Sequence, residues 1–169
     1  YFSIKGSETK PKVAYVVYTD ADKNLTFKYG EKPTGGGGIT VYDIPDVSTS
    51  PSWYSQRSSI KTVVFDESFK DIRPTTCYCW FSDCTSLTTI NGIENLNTEV
   101  VTDMRYMFRN CSSLSTLDLS GFITAKVMLM DYMFYGCSKL TAIYASSNFT
   151  TTAVTSSDYM FTGCTSLVG

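Results

Sequence analysis

"MFRNCSSL" (107–114) returns as "MFYGCSKL" (133–140) and as "MFTGCTSL" (160–167), each copy with one cysteine at its centre. A catalytic site needs its residues once, so the recurrence points to architecture. Cys84, Cys111, Cys137 and Cys164 follow one another at steps of 27, 26 and 27 residues. Three positions before each stands Phe81, Phe108, Phe134 or Phe161, preceded by Trp80, Met107, Met133 or Met160. Leu87, Leu114, Leu140 and Leu167 follow at the third position, and Ile90, Leu117 and Ile143 three further on. Val101, Val127 and Val154 stand ten before the next cysteine. Stepping back from Cys84 reaches Arg57, with Trp53, Tyr54, Ile60 and Val63 in matching columns. An earlier unit therefore carries arginine where the others carry cysteine, as terminal units of an array commonly differ.

Each unit is too short to bury an apolar face alone, so the stacked array is what folds. "LSTLDLS" (114–120) alternates Leu117 and Leu119 with polar residues, the pattern of a half-buried strand. "VTDMRYMFRNC" (101–111) spaces Val101, Met104, Met107 and Phe108 by threes and fours, which predicts a short helix or 3₁₀ turn. One strand and one helical segment per unit predicts an α/β solenoid, a leucine-rich-repeat-like right-handed stack of short parallel strands and short helices. The cysteines then form a ladder of small packing residues. Disulfides between rungs fit poorly, because in-register strands stack about 4.8 Å apart and a bridge needs Cβ atoms at about 3.5–4.5 Å. Cys77 and Cys79 in "CYCWFSDC" match no zinc or iron–sulfur spacing. Cys77 shares the column of Met104 and Met130, which assigns it to the core.

Ahead of the array, "KVAYVVYTDADKNLTFKYG" (12–30) predicts a β-hairpin turning at "DADKN", and "ITVYDI" (39–44) a further strand. The glycines of "TGGGG" (34–38) lack the Gly-Lys-Ser/Thr and helix start of a phosphate loop, so they form a plain loop. The organisation expected is an N-terminal β cap over 1–50 and a solenoid of 26–27-residue repeats over 51–169.

Forty-three per cent hydrophobic residues can build a core, and a net charge of −2 without basic runs speaks against nucleic acid as partner. No apolar run reaches the roughly 20 residues of a membrane-spanning helix, so no membrane insertion is expected. No signal peptide or lipidation motif is present, and from Tyr1 the chain reads as mature or trimmed sequence. The absence of histidine removes the commonest general base and metal ligand, so neither an enzyme nor a metal or cofactor is expected.

The repeated "MF-x-x-C-[ST]-x-L" together with "LDLSGF" (117–122) resembles the BspA-like leucine-rich-repeat surface proteins of anaerobic gut and oral bacteria, and is similar to repeats of mycoplasma surface lipoproteins. The resemblance covers residues 51–169, with departures at "IENLNTEV" and "IYASSNFT". It implies a cell-surface or secreted, adhesin-like interaction module without enzymatic activity, whose partners are host or bacterial surface proteins or glycans. It supplies no catalytic or binding residues.

Candidate contact residues follow from the strand register instead. Outward positions are Thr62, Val64 and Asp66, then Thr89 and Asn91, then Thr116, Asp118 and Ser120, then Ala142, Tyr144 and Ser146. Asn91, Asp118 and Tyr144 are the contact residues proposed from this face. Tyr106, Tyr132 and Tyr159 form a second column, suited either to stacking on sugars or to packing on the back of the array. Two other functions are open to the sequence. One is a structural spacer in a larger surface protein; the other is a glycosidase using a carboxylate pair drawn from Asp66 and Asp118.

Overall fold

The computed structural model describes residues 9–168. Residues 1–8 of the expected N-terminal segment, and Gly169 at the end of the expected array, lie outside the described residues. Strands β1 (Lys12–Thr19) and β2 (Asn24–Glu31) form an antiparallel hairpin paired from Lys12↔Glu31 to Thr19↔Asn24. In its turn Lys23 takes a left-handed φ of 57° and its Nζ lies 2.6 Å from Asp20 Oδ1. Alternation along both strands turns Val16, Tyr18, Leu25 and Phe27 into the core. β3 (Ile39–Asp43) lies antiparallel on the far side of β1.

The other edge of β2 takes β4 (Thr62–Phe65) in parallel, and β4 takes β5 (Thr89–Asn91) in parallel. A five-stranded mixed sheet of order β3-β1-β2-β4-β5 results. β6 (Thr116–Leu119) and β7 (Ala142–Ala145) make a separate two-stranded parallel sheet. Only three short 3₁₀ turns, Ser52–Gln56, Glu67–Phe69 and Ile93–Asn95, accompany the strands among the described residues.

This architecture corrects the fold expected from the sequence. The chain is not an α/β solenoid, nor a leucine-rich-repeat-like stack of strands and helices behind a hairpin cap. It is a mixed five-stranded sheet and a small parallel sheet, with no α-helix among the described residues. The reason lies in the segment expected to be helical. Met107, Arg109 and Cys111 N–H groups bond back three residues to Met104, Tyr106 and Phe108 carbonyls, the closure of β-turns and not of an α-helix. Tyr106 and Asn110 sit at φ of 60° and 56°, the third position of two of these turns, which makes them type II in pattern. Two left-handed residues four apart break any α-helical ladder. The intervening N–H groups point along the stack: Met104, Tyr106, Phe108 and Asn110 donate to Leu129, Asp131, Met133 and Tyr135 carbonyls, all at 3.0 Å or less. Each repeat thus closes turns with one set of amides and holds the next repeat with the other.

Successive repeats are locked inside by aromatic rings, with Phe81, Phe108, Phe134 and Phe161 following at centroid distances of 5.5, 5.8 and 5.4 Å. One apolar cluster runs from Val16 of the hairpin through Trp53 and Trp80 to Leu140, joining the hairpin and the turns into a common core. Asp103, 4% exposed, ties in the segment before the repeats. It accepts from Ser48 Oγ at 2.6 Å and is gripped by Arg105 through Nε and Nη2 at 3.0 and 2.8 Å.

Candidate functional site

The strand face presents one outward column across four repeats. Val64 registers with Asn91 across β4–β5, and Asp118 registers with Tyr144 across β6–β7. Asn91, Asp118 and Tyr144 are all exposed, Tyr144 to 58%. Asp118 and Tyr144 are direct neighbours in register, but Asn91 lies on the far side of a break, since β5 does not pair with β6. The end of β5 has a local cause. Gly92, at φ 69°, turns the chain so tightly that a Cβ there would stand 2.3 Å from the Phe65 carbonyl oxygen, which Asn95 Nδ2 also reaches at 3.0 Å. The loop after β5 folds back on the end of β4, and β5 stops at Asn91. A depression of about 200 Å³ fills the gap, with Thr88, Thr89, Thr116 and Asp118 among its walls.

Local hydrogen bonds act on the carboxyls of this face. Asp118 accepts from the Ser120 side chain and backbone, and those bonds keep its pKa below the ordinary carboxylate value. Asp66 is lowered in the same way by Ser68, whose N–H it caps at 3.0 Å, with a further contribution from Lys28.

The tyrosine column forms a second surface. Tyr106 and Tyr132 stack at 5.2 Å and 15°, Tyr132 and Tyr159 at 5.1 Å and 24°, and Tyr78 meets Tyr106 edge-on at 5.6 Å. The rings cover one another's faces, so the row offers solvent ring edges and phenolic hydroxyls; the outermost ring, Tyr159, is 59% exposed. Cys79, Tyr106, Tyr132 and Tyr159 share a left-handed φ of 56–60°, which fixes the equivalence of Cys79 with the tyrosines. Arginines flank the row: the Arg57, Arg105 and Arg109 guanidinium carbons lie 4.3, 5.2 and 5.9 Å from the ring centres of Tyr54, Tyr78 and Tyr106.

At one end stands Asp83, which accepts from Tyr54 Oη at 2.6 Å and Asn110 Nδ2 at 2.7 Å and faces Arg109 Nη1 at 3.5 Å. Burial pushes the Asp83 carboxyl up, but its hydrogen bonds and Arg109 outweigh that and leave it below its ordinary value. Tyr54, Asp83 and Arg109 were not among the contact residues read from the sequence. Their signal was present: Tyr54 falls in the phenylalanine column, and Asp83 and Asn110 hold the position before each cysteine that elsewhere is Gly136 or Gly163.

The cysteines are free thiols, and Cys77, Cys84, Cys111 and Cys137 are buried in the core. The thiols of Cys111, Cys137 and Cys164 donate to the Phe81, Phe108 and Phe134 carbonyls of the preceding repeat at 3.2, 3.0 and 3.0 Å. In the first unit Arg57 Nη1 instead bonds within its own unit, to Tyr54 O at 3.0 Å. Burial pushes the Cys137 thiol up to about 12 and Cys79 to about 11, and raises the others too, so the nucleophilic thiolate is disfavoured throughout. Among the described residues no cluster of His, Cys, Asp or Glu is arranged to hold a metal ion, and no helix is long and apolar enough to cross a membrane.

A family model described as "Mycoplasma protein of unknown function, DUF285" matches residues 75–169, more than half of the 169-residue chain. The chain belongs to the DUF285 family. The DUF285 match spans the units of Cys84, Cys111, Cys137 and Cys164 and begins after the Arg57 unit. It agrees with the mycoplasma-type likeness of the repeats. No curated protein and no solved structure matched the chain.

Proposed function

We propose that this DUF285 chain is a non-enzymatic, adhesin-like interaction module of a secreted or cell-surface protein, binding a protein or glycan through its strand face. The observation that carries the proposal is the exposed pair Asp118–Tyr144, side by side in register on β6 and β7, with Asp118 and β5 residues Thr89 and Ile90 lining one shallow depression and Asn91 exposed on the same strand. A flat ladder of small polar residues carrying one exposed aromatic and one ionised carboxylate suits an extended partner surface better than a small buried substrate. The finer likeness, to BspA-like surface proteins, supports the same reading and the extracellular location.

The lowered pKa values of Asp66 and Asp118 weigh against the glycosidase alternative, because its general acid must hold a proton near neutrality. Binding to an array of matrix proteins, mucins and glycans tests the proposal, with an Asp118→Ala/Tyr144→Ala variant alongside. A hit weakened at least about tenfold in the variant is expected, since one exposed aromatic anchor is commonly worth that much. Silence of the wild-type protein across the array would favour a spacer, and turnover of aryl-glycosides would restore the enzyme reading.

A further inference from the structure

The tyrosine row borders a groove of about 460 Å³ that shares no lining residue with the depression on the strand face. Tyr54, Tyr78, Tyr106, Tyr132, Ser82 and Arg109 line it, and Arg109 is the one charged side chain among its lining residues. We infer that this groove is a second binding site, for a short linear oligosaccharide bearing carboxylates.

Three observations lead there. First, Tyr106 and Tyr132 hold their backbones in the left-handed region, at φ of 60° and 56°. Bulky side chains there cost on the order of 1–2 kcal/mol each, and stacking returns about 0.5–1.5 kcal/mol per pair. Phenylalanine would stack equally well, so packing does not explain the hydroxyls. Second, the Tyr54 hydroxyl is taken up by Asp83 at 2.6 Å, whereas those of Tyr106 and Tyr132 have no protein partner among the described residues. They stand one per repeat along stacked rings 5.2 Å apart, so the row sets out phenols at the period of the repeat. A ligand rich in hydroxyls can exchange bonds with such a comb, each phenol both donating and accepting.

Third, the Arg109 guanidinium faces Asp83 with Nη1 at 3.5 Å, and its five N–H donors leave some for a second carboxylate. A proline-rich peptide fits less well. It needs open ring faces, and in this row each face is covered by the next ring except at Tyr159.

The test is calorimetric titration of the protein with trigalacturonate, its methyl ester, sialyllactose and a proline-rich peptide. Binding of trigalacturonate or sialyllactose is expected, and which of the two binds identifies the uronic or sialic class. Tyr106→Phe/Tyr132→Phe keeps the rings stacked and should weaken that binding about tenfold or more with an unchanged melting temperature. Arg109→Gln should abolish the preference for free acid over ester. Asp118→Ala/Tyr144→Ala should leave the titration unchanged, so this site and the strand-face site fail independently. The inference is overturned if neither acidic sugar binds, if the phenylalanine pair binds as well as wild type, if ester and acid bind equally, if the strand-face variant loses the binding, or if the peptide alone binds.

Discussion

The cysteine column shows how one residue type serves the stack. Cys84, Cys111 and Cys137 fill small buried slots and Cys164 a half-buried one, and in three repeats the S–H reaches a carbonyl of the preceding repeat that already accepts an amide from its own turn. A methyl group would fill the slot and lose the bond, and an ionised thiolate could not donate. The consequence for pH follows from the sign of the shifts. Burial raises the folded pKa values above the ordinary thiol value of about 8.5, so the thiols contribute stability that is complete below that pH and lost as pH rises toward the folded values. The melting temperature should therefore hold level between about pH 6 and 8 and fall above about 8.5, with a shallower fall in Cys111→Ala. A level curve through the alkaline range would contradict the buried ladder. So would fewer than six titratable thiols in denatured, unreduced protein, since all six cysteines are free.

At the scale of elements, the end of β5 depends on Gly92. Alanine there must adopt φ 69° and push against the Phe65 carbonyl, so Gly92→Ala should destabilise the protein by about 2–3 kcal/mol in urea unfolding. A change under about 0.5 kcal/mol would show that the loop relaxes and that the approach to β4 does not fix the end of β5. The strands themselves were legible. An apolar run placed β1, alternating Leu25, Phe27 and Tyr29 placed β2, the stretch after the glycines placed β3, and the repeat columns placed β4 to β7. The turns were not, because consecutive β-turns space their buried residues by threes and fours as a helix does: Met104, Met107 and Phe108 satisfy both. What separates the two is the residue before each cysteine, where Asp83, Asn110, Gly136 and Gly163 all take φ between 56° and 82°. Those residue types tolerate the left-handed region, and their recurrence marked a turn. The tyrosine column gave no such signal, since nothing in a tyrosine's chemistry announces a positive φ. Of the candidate site, exposure of Asn91, Asp118 and Tyr144 followed from period-two alternation, but the gap beside Asn91 and the Asp83–Tyr54–Arg109 cluster depend on contacts between repeats.

For the whole molecule, cohesion rests on amides shared between local turns and the next repeat, over a core continuous from hairpin to last turn. That arrangement leaves two separate surfaces, strand face and tyrosine groove, on one scaffold. It is tested most directly by hydrogen exchange of the alternating amides. Tyr106, Phe108 and Asn110, and equally Tyr132, Phe134 and Gly136, donate to the following repeat and should exchange slowly. Tyr159, Phe161 and Gly163 occupy the same positions in the last repeat without such partners among the described residues, and should exchange fast in this chain. Slow exchange at the first six and fast exchange at the last three is the predicted result. Equal protection in all three repeats would mean that each segment holds its own amides, as a helix does, and would contradict the account.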